Sequence, residues 1–270
     1  MDATLPTLRE AGTGDPVVCL HASASTGGQW RALMERLAPA WHVIAPDQFG
    51  YCRRTPQERI EGFVLADELD WLAPVLGRAG ERVHLVGHSY GGLIAMLAAL
   101  RWPARVRSLA LYEPACWSVA VRDDPTHPAA IELDRVGESV IRGVETGALE
   151  TTAADFVDYW SGQGAWASMP PERRQAAMRV MPKIRREFIA ERAEHDAAGA
   201  SLAAYARIDA PLLLMSGERS TAGARRVCEL LRGVWPHGRF VPLPGLGHMG
   251  PVTHPGAVAD EVERFLREAG

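Results

Sequence analysis

A serine on a glycine-rich turn is the residue of this chain best suited to chemistry. Gly87-His88-Ser89-Tyr90-Gly91-Gly92 follows the apolar residues 83–86 and precedes residues 93–100, which are apolar on almost every side. A serine hydroxyl is a poor nucleophile unless it is held toward a base, and a tight strand-to-helix turn holds it in that way. The glycines let the backbones of strand and helix approach each other. The motif therefore predicts a nucleophile at Ser89 rather than an ordinary glycine-rich turn.

A histidine near the end of the chain is placed to act as the base. Gly245-Leu246-Gly247-His248-Met249-Gly250 lies between the apolar residues 240–243 and a final helical pattern over residues 258–266. Any single one of the nine histidines is most often solvated or merely packed. His248 differs by position, because a base in the loop after the last strand completes the chain order serine, acid, histidine.

Short apolar runs alternate with helical patterns along most of the chain. The runs that indicate strands are residues 17–20, 43–45, 83–86, 106–111, 212–215 and 240–243. Their near-continuous hydrophobicity suits a parallel sheet covered on both faces, and the alternation implies right-handed crossovers. The sequence thus predicts an α/β fold with a doubly wound, mostly parallel sheet flanked by helices. His21-Ala22-Ser23 then falls at the carboxyl edge of the sheet, where such folds bind ligands.

The alternation is interrupted once, between about Ala115 and Ala206. Only helical patterns occur there, including one that Pro170-Pro171 opens and that Pro182 is expected to interrupt. We therefore expect a core of residues 1–114 and 207–270 and an inserted helical cap of residues 115–206. The aromatic residues expected either to line an apolar pocket or to form the core of this cap are Trp117, Phe156, Tyr159, Trp160 and Trp166.

Composition and charge exclude several classes of protein. The 29 basic and 33 acidic residues give a net charge of −4 without a basic stripe, which disfavours nucleic acid as a partner. No apolar run approaches the roughly 18 residues that span a bilayer. Met1-Asp2-Ala3-Thr4 lacks the regions of a secretory signal, so we expect a cytoplasmic location. The four cysteines form no CxxC pair, so we expect free thiols and no metal or cofactor. Lys183 is the only lysine.

These motifs together resemble the α/β-hydrolase superfamily over essentially the whole chain. The resemblance is carried by His21-Ala22-Ser23, Asp47-Gln48-Phe49-Gly50-Tyr51, Gly87-His88-Ser89-Tyr90-Gly91-Gly92, the strand at residues 212–217, and Gly247-His248. It implies Ser89 as nucleophile and His248 as base. It also implies an oxyanion hole formed by the backbone N–H groups of Ser23 and Tyr90. A helical cap is implied after the strand at residues 106–111, the sixth in the family's count.

Three features depart from the family's pattern. The first loop reads His21-Ala22 where these enzymes usually have His-Gly, so its backbone must turn without the freedom of glycine. The chain before residue 17 has room for one edge strand, at residues 5–10, rather than the usual pair. The loop Gly217-Glu218-Arg219-Ser220 has Ser220 where members of the family generally place the aspartate of the triad.

Two carboxylates are candidates for the missing acid, which a serine cannot replace in charge. Glu113 ends the strand Leu111-Tyr112-Glu113-Pro114, and Glu218 follows the next strand. The position of Glu113 favours it, as some members of the superfamily take their acid from this place. The competing interpretation of Glu113 is a buried carboxylate paired with an arginine at the base of the cap. Asp47 precedes the nucleophile in the chain, so a role in stabilising a loop suits it better than the role of the acid.

The predicted function is cleavage of a carboxylic ester, lactone or thioester through an acyl-enzyme at Ser89. His248 is the general base, Glu113 the favoured acid, and the partner a small acyl substrate; the sequence leaves its identity and the oligomeric state open. The same residues serve C–C bond hydrolysis, amide hydrolysis, acyl transfer to another acceptor or a cofactor-free perhydrolase. A ligand-binding protein that has lost catalysis is a further alternative, which Ser220 favours. A dehalogenase is disfavoured because those relatives use an aspartate as nucleophile.

Overall fold

A seven-stranded sheet organises the chain, for which a computed structural model describes residues 6–52, 55, 57–194 and 199–269. The strands of these residues are β1 (Leu8–Ala11), β2 (Asp15–Leu20), β3 (Trp41–Pro46), β4 (Val83–His88), β5 (Val106–Tyr112), β6 (Leu212–Gly217) and β7 (Arg239–Leu243). They lie in the order β1-β3-β2-β4-β5-β6-β7, and only the pairing of β1 with β3 is antiparallel. The predicted doubly wound, mostly parallel sheet is confirmed.

Helices cover both faces of this sheet. The α-helices of the described residues are α1 (Arg31–Leu37), α2 (Gln57–Glu61), α3 (Leu65–Ala79), α4 (Tyr90–Arg101), α5 (Trp117–Asp123), α6 (Pro128–Glu145), α7 (Leu149–Ser161), α8 (Ala165–Ser168), α9 (Pro171–Glu194), α10 (Leu202–Tyr205), α11 (Ala222–Val234), α12 (Gly250–Thr253) and α13 (Pro255–Ala269). None of them, within the described residues, combines the length and the apolar character needed to cross a membrane.

The strands separate two apolar cores because successive side chains point to opposite faces. In β2, Val18 and Leu20 pack with α3 and α4 on one face. Val17 and Cys19 pack with α1 and α13 on the other. Helix α4 is buried on nearly all sides, as its uniformly apolar sequence predicted. A helix held on all sides gives the turn in front of it a rigid support.

Among the described residues one strand precedes β2, as the sequence predicted. It covers Leu8–Ala11 and pairs with β3, whereas Leu5, where the predicted strand began, lies outside the described residues. Because one strand is described before β2 where the family usually has two, the strand that the family counts as sixth is β5 here.

Between β5 and β6 the described residues form the helices α5 to α10 and no strand. We refer to these helices as the helical insertion. Residues 195–198 of the predicted cap lie outside the described residues. The division into a core of residues 1–114 and 207–270 and a cap of residues 115–206 remains a prediction.

The expectation that Pro182 interrupts its helix is wrong, since α9 continues through it. A proline inside a helix costs about 3 kcal/mol through a lost hydrogen bond and a steric clash. Met181, Ile184 and Phe188 beside it are each no more than 2% exposed. Burial of three such side chains stabilises by roughly 1.5–3 kcal/mol each, which outweighs the cost.

A buried carboxylate joins two helices of the insertion. Glu191 of α9 is 1% exposed, and its Oε1 accepts hydrogen bonds of 2.9 Å from both the backbone N–H and the hydroxyl of Ser118 in α5. Burial raises the pKa of Glu191 from 4.5 to about 8. The folded chain therefore keeps a proton between these pH values that the unfolded chain releases.

This retained proton predicts how stability depends on pH. Because the native state binds the extra proton, the free energy of unfolding contributed by Glu191 falls as pH rises from about 4.5 to about 8. Glutamine at this position stays neutral at every pH. The free energy of unfolding of Glu191→Gln minus that of the wild type should therefore increase by about 2 kcal/mol between pH 6 and pH 8. Urea unfolding of both proteins at the two pH values measures this difference. The same difference in free energy of unfolding at both pH values would contradict a raised pKa of Glu191.

Candidate active site

Ser89 lies on the turn between β4 and α4 in a left-handed backbone conformation, with φ of +52° and ψ of −119°. Such a conformation costs a residue with a side chain about 1–3 kcal/mol and persists only where its surroundings enforce it. Here the N–H of Ser89 donates to the carbonyl of Tyr112 at 3.0 Å, and its carbonyl accepts from Gly92 at 2.8 Å. The sheet and α4 together fix the serine.

The glycines on each side of Ser89 are required by close packing. A Cβ on Gly91 would lie 2.2 Å from the carbonyl oxygen of Leu20, and one on Gly87 would lie 2.6 Å from that of Gly91. Both distances are shorter than any van der Waals contact. The turn therefore admits no larger residue at these two positions, which accounts for the motif.

The ring of His248 lies between Ser89 and Glu113. Its Nε2 is 3.0 Å from Oγ of Ser89, and its Nδ1 is 2.7 Å from Oε2 of Glu113. All three side chains are buried. With Nδ1–H donating to the carboxylate, Nε2 is left as an acceptor for the serine hydroxyl. This arrangement can take the proton of Ser89 as the oxygen attacks.

The carboxylate of Glu113 is fixed on its other side by β6 and the loop after it. Its Oε1 accepts from the N–H of Gly217 at 2.6 Å and from the hydroxyl of Ser220 at 2.5 Å. Ser220 thus contacts a carboxylate that enters from β5. Glu218 is exposed. Among the described residues Glu113 forms no ion pair with an arginine, the competing interpretation of its burial.

The two N–H groups expected in an oxyanion hole are without an acceptor among the described residues. Tyr90 is the first residue of α4, so its N–H has no partner within the helix. Ser23 follows β2 and lines the same cavity as Ser89 and His248.

The first loop does turn without glycine, but not at the residue that the sequence indicated. The left-handed residue is Ala24, with φ of +56°, whereas Ala22, at the family's glycine position, lies outside that region. Ala24, Ser89 and Glu113 are the only non-glycine residues with positive φ among those described. Backbone strain in the described chain is thus concentrated at the candidate site, as is common where strained geometry serves function.

Two side chains that the sequence gave no reason to single out hold the loop that carries His248. The hydroxyl of Tyr112 donates to the carbonyl of Gly247 at 2.7 Å, and Nε2–H of His88 donates to that of His248 at 2.8 Å. Nδ1 of His88 lies 3.1 Å from Nε2 of Gln29 and accepts from it. Burial and the neighbouring His248 hold the pKa of His88 well below its ordinary value, which fits a neutral ring.

The conspicuous residues His21 and Asp47 have structural roles. Burial lowers the pKa of His21 to about 4. As a neutral ring it donates to the carbonyl of Ala22 at 2.7 Å and accepts from the N–H of Gln48 at 3.0 Å. Asp47 accepts from the N–H of Gly27 at 2.8 Å. Both therefore stabilise the first loop, which for Asp47 is the role its position indicated.

A cavity of about 620 Å³ leads to Ser89 and His248. Of the five aromatic residues expected at a pocket or in a cap core, Trp117, Phe156 and Trp160 line this cavity, and Tyr159 and Trp166 do not. The ring of Trp160 lies 4.4 Å from that of His248, centroid to centroid. The helical insertion thus supplies an apolar wall that reaches the candidate base.

The described residues hold no group of three or more metal-ligating side chains suited to bind a metal ion. The four cysteines are all buried and unpaired. Burial raises the pKa of Cys19 above its ordinary value, so that thiol is a poor nucleophile.

Comparison with known proteins decides the family. A family model described as the alpha/beta hydrolase fold matches residues 15–255. The chain belongs to this family. It is 25% identical over 266 residues to a pimeloyl-[acyl-carrier protein] methyl ester esterase of Yersinia enterocolitica, covering 96% of each chain. It is 36% identical over 111 residues to a 2-hydroxy-6-oxo-2,4-heptadienoate hydrolase of Pseudomonas putida, covering 38% of this chain and 39% of that protein.

A solved structure agrees in fold. An α/β hydrolase from Sphaerobacter thermophilus superimposes with a TM-score of 0.67 at 24% identity, covering 96% of this α/β hydrolase and 95% of that chain. The family and its named relatives together make this protein a hydrolase.

Proposed function

We propose that this α/β hydrolase is a serine hydrolase that cleaves a carboxylic ester, lactone or thioester through an acyl-enzyme. The observation that carries the proposal is the buried hydrogen-bonded series from Ser89 through His248 to Glu113, with distances of 3.0 and 2.7 Å, at the end of a large cavity. Geometry of this kind identifies a catalytic triad more reliably than sequence position does.

In the first half of the reaction, Oγ of Ser89 attacks the acyl carbonyl while its proton passes to Nε2 of His248. The Glu113 carboxylate stabilises the imidazolium that forms and holds the ring in the required tautomer. The protonated ring then gives its proton to the departing alkoxide or thiolate, which leaves the acyl group on Ser89. In the second half His248 takes a proton from water, and the resulting hydroxide equivalent attacks the acyl carbonyl. The ring then returns the proton to Oγ of Ser89 as the bond to the acyl group breaks and the acid is released.

The backbone N–H groups of Ser23 and Tyr90 bind the oxygen that becomes negative in both halves. Their lack of another acceptor among the described residues supports this role. One such donor is worth about 3 kcal/mol of barrier lowering. The N-terminus of α4, directly behind Ser89, adds to the stabilisation of negative charge.

The helical insertion acts as the cap and selects the acyl group. Trp117, Phe156 and Trp160 in the wall of the cavity support an apolar acyl chain. The name of the Yersinia relative, a methyl ester esterase, supports an ester as substrate.

The ligand-binding alternative drew its support from the absence of an aspartate at Ser220. The carboxylate of Glu113, 2.5 Å from the Ser220 hydroxyl, removes that support because an acid is available beside the same loop.

Labelling with a fluorophosphonate tests the proposal directly. We expect one covalent adduct on Ser89, detected by mass spectrometry of the tryptic peptide, and none on the Ser89→Ala protein. A panel of p-nitrophenyl esters of graded acyl length, run beside a set of lactones, should then show turnover that labelling abolishes. An unlabelled Ser89 in the folded protein would favour ligand binding without catalysis.

A further inference from the structure

A buried cluster of charged side chains joins the helical insertion to the core next to the first loop. Lys183 and Glu187 of α9 and Glu68 of α3 are each no more than 2% exposed. Nζ of Lys183 donates to Glu187 Oε1 at 2.8 Å and to Glu68 Oε1 at 3.0 Å. Replacing such a buried ion pair with apolar residues is often neutral or stabilising, so the pair is weak support for a purely stabilising role.

The cluster contacts the first loop at the side chain of Ser23. The hydroxyl of Ser23 donates to Oε2 of Glu187 at 2.6 Å, and the hydroxyl of Tyr51 donates to Oε1 at 2.6 Å. Both carboxylate oxygens of Glu187 therefore accept a hydrogen bond from a hydroxyl group. Ser23 directly precedes Ala24, whose left-handed conformation has to be enforced by its surroundings. The hydrogen bond that the Ser23 hydroxyl donates to Glu187 is placed to do this.

Tyr90, the second residue of the expected oxyanion hole, contacts the same cluster through its side chain. The hydroxyl of Tyr90 donates to Oε1 of Glu68 at 3.1 Å, and Nζ of Lys183 lies 4.6 Å from the centre of the Tyr90 ring. In the proposed mechanism the N–H groups of Ser23 and Tyr90 face the substrate. The side chains of these two residues bind Glu187 and Glu68, the two carboxylates that Lys183 joins.

We propose that Glu187, held by Lys183, is a positioning residue for the oxyanion hole, which it completes by fixing Ser23 from the helical insertion. The inference rests on the proposed acyl-enzyme mechanism. Since Glu187 and Lys183 belong to α9 and Ser23 to the core, docking of the insertion and completion of the oxyanion hole become one event. An insertion that moves away would leave the triad intact but the hole misplaced.

Ser23→Ala tests the link while leaving the charged cluster in place. The backbone N–H is retained, whereas the hydrogen bond of the hydroxyl to Glu187 and its contact with the Tyr51 hydroxyl are lost. A misplaced catalytic group costs up to about a hundredfold in rate, so we expect kcat on a p-nitrophenyl ester to fall at least about tenfold with KM within twofold. Ser23→Thr, which keeps the hydroxyl, should restore most of kcat. An unchanged kcat in Ser23→Ala would overturn the proposal.

The triple variant Lys183→Met/Glu187→Met/Glu68→Gln separates positioning from stability. It removes Lys183 together with both carboxylates that pair with it, so that no charge of the cluster is left buried without its partner. We expect its unfolding midpoint to match or exceed that of the wild type while kcat falls at least as far as in Ser23→Ala. Adding Ser23→Ala to it should cause no further loss, because both changes break the same hydrogen bond. A multiplied loss in the quadruple variant, or a kcat within twofold of the wild type in the triple variant, would contradict the link.

Glu191→Gln is the matched control. Glu191 lies one helical turn beyond Glu187 and also accepts from a serine hydroxyl, but that serine is Ser118 of the insertion. The kcat of the Glu191→Gln protein should stay within twofold of that of the wild type. Fluorophosphonate labelling of the wild type distinguishes two failures: without an adduct on Ser89 the mechanism itself is wrong, whereas an adduct together with an unchanged kcat in Ser23→Ala refutes only the role of Glu187.

Discussion

Ser89→Ala should lower kcat by about four to six orders of magnitude and leave the fold intact. Loss of a triad nucleophile leaves only the residual acceleration that binding and the oxyanion hole supply. The hydroxyl of Ser89 is buried against His248 and supports no other side chain among the described residues, so its loss costs little stability. Alanine tolerates the φ of +52° about as well as serine does. Initial rates on the best ester of the graded panel, with a thermal unfolding midpoint for each protein, measure both quantities.

A matched variant guards against a loss that is unrelated to chemistry. Ser161 lines the same cavity from the helical insertion. Ser161→Ala should retain kcat within threefold, because its hydroxyl lies outside the hydrogen-bonded series. If Ser89→Ala kept more than about a tenth of the wild-type rate, the covalent mechanism would be wrong.

The places of Ser89, Glu113 and His248 follow from the sequence because the sheet is parallel. Ser89 directly follows β4, Glu113 directly follows β5 and His248 follows β7, so all three lie at the same edge once β4 to β7 are neighbours. The strands are visible as apolar runs, and the turn at Ser89 as closely spaced glycines. Local pattern and strand order together are enough to bring these residues to one edge.

The sequence favours Glu113 over Glu218 by position, but it does not decide between them. Both follow adjacent strands, and the sequence does not specify which side chain turns inward. The backbone of Glu113, with φ of +43°, and the donors Gly217 and Ser220 decide the direction in which its carboxylate points. Ser220 stands where the family generally has an aspartate, and its hydroxyl donates a hydrogen bond to the carboxylate that enters from β5.

The cluster behind the first loop was beyond prediction for a different reason. Ser23 and Glu187 are 164 residues apart in the chain, and Glu68 and Lys183 are 115 apart. Each partner sits in a helix or loop whose local pattern is unremarkable. The single lysine among arginines was the only trace in the sequence, and it does not identify a partner. Ala24 was missed likewise, because its strain is imposed by contacts from elsewhere in the fold.

Glu113→Gln should lower the rate of acylation by about three to four orders of magnitude. The reason lies in the two donors on its far side. Gly217 N–H and the Ser220 hydroxyl both point at Oε1, so the amide of a glutamine has to place its carbonyl oxygen there. Its NH₂ group then faces Nδ1 of His248, and Nδ1 becomes an acceptor. The ring proton moves to Nε2, the atom that must accept the proton of Ser89, and His248 is held in the inactive tautomer.

Glu218→Gln is the control that ranks the two acids. Because Glu218 is exposed, the kcat of the Glu218→Gln protein should stay within about threefold of that of the wild type. Stopped-flow acylation of all three proteins with a chromogenic ester separates the outcomes. The opposite ranking would move the acid to the loop after β6, and two mild effects would point to a Ser89–His248 dyad supported by neutral groups. Ser220→Ala on the Glu113→Gln protein adds a sharper test: with one donor to Oε1 removed, the amide is freer to rotate, its oxygen can again accept from Nδ1–H, and part of the lost rate should return.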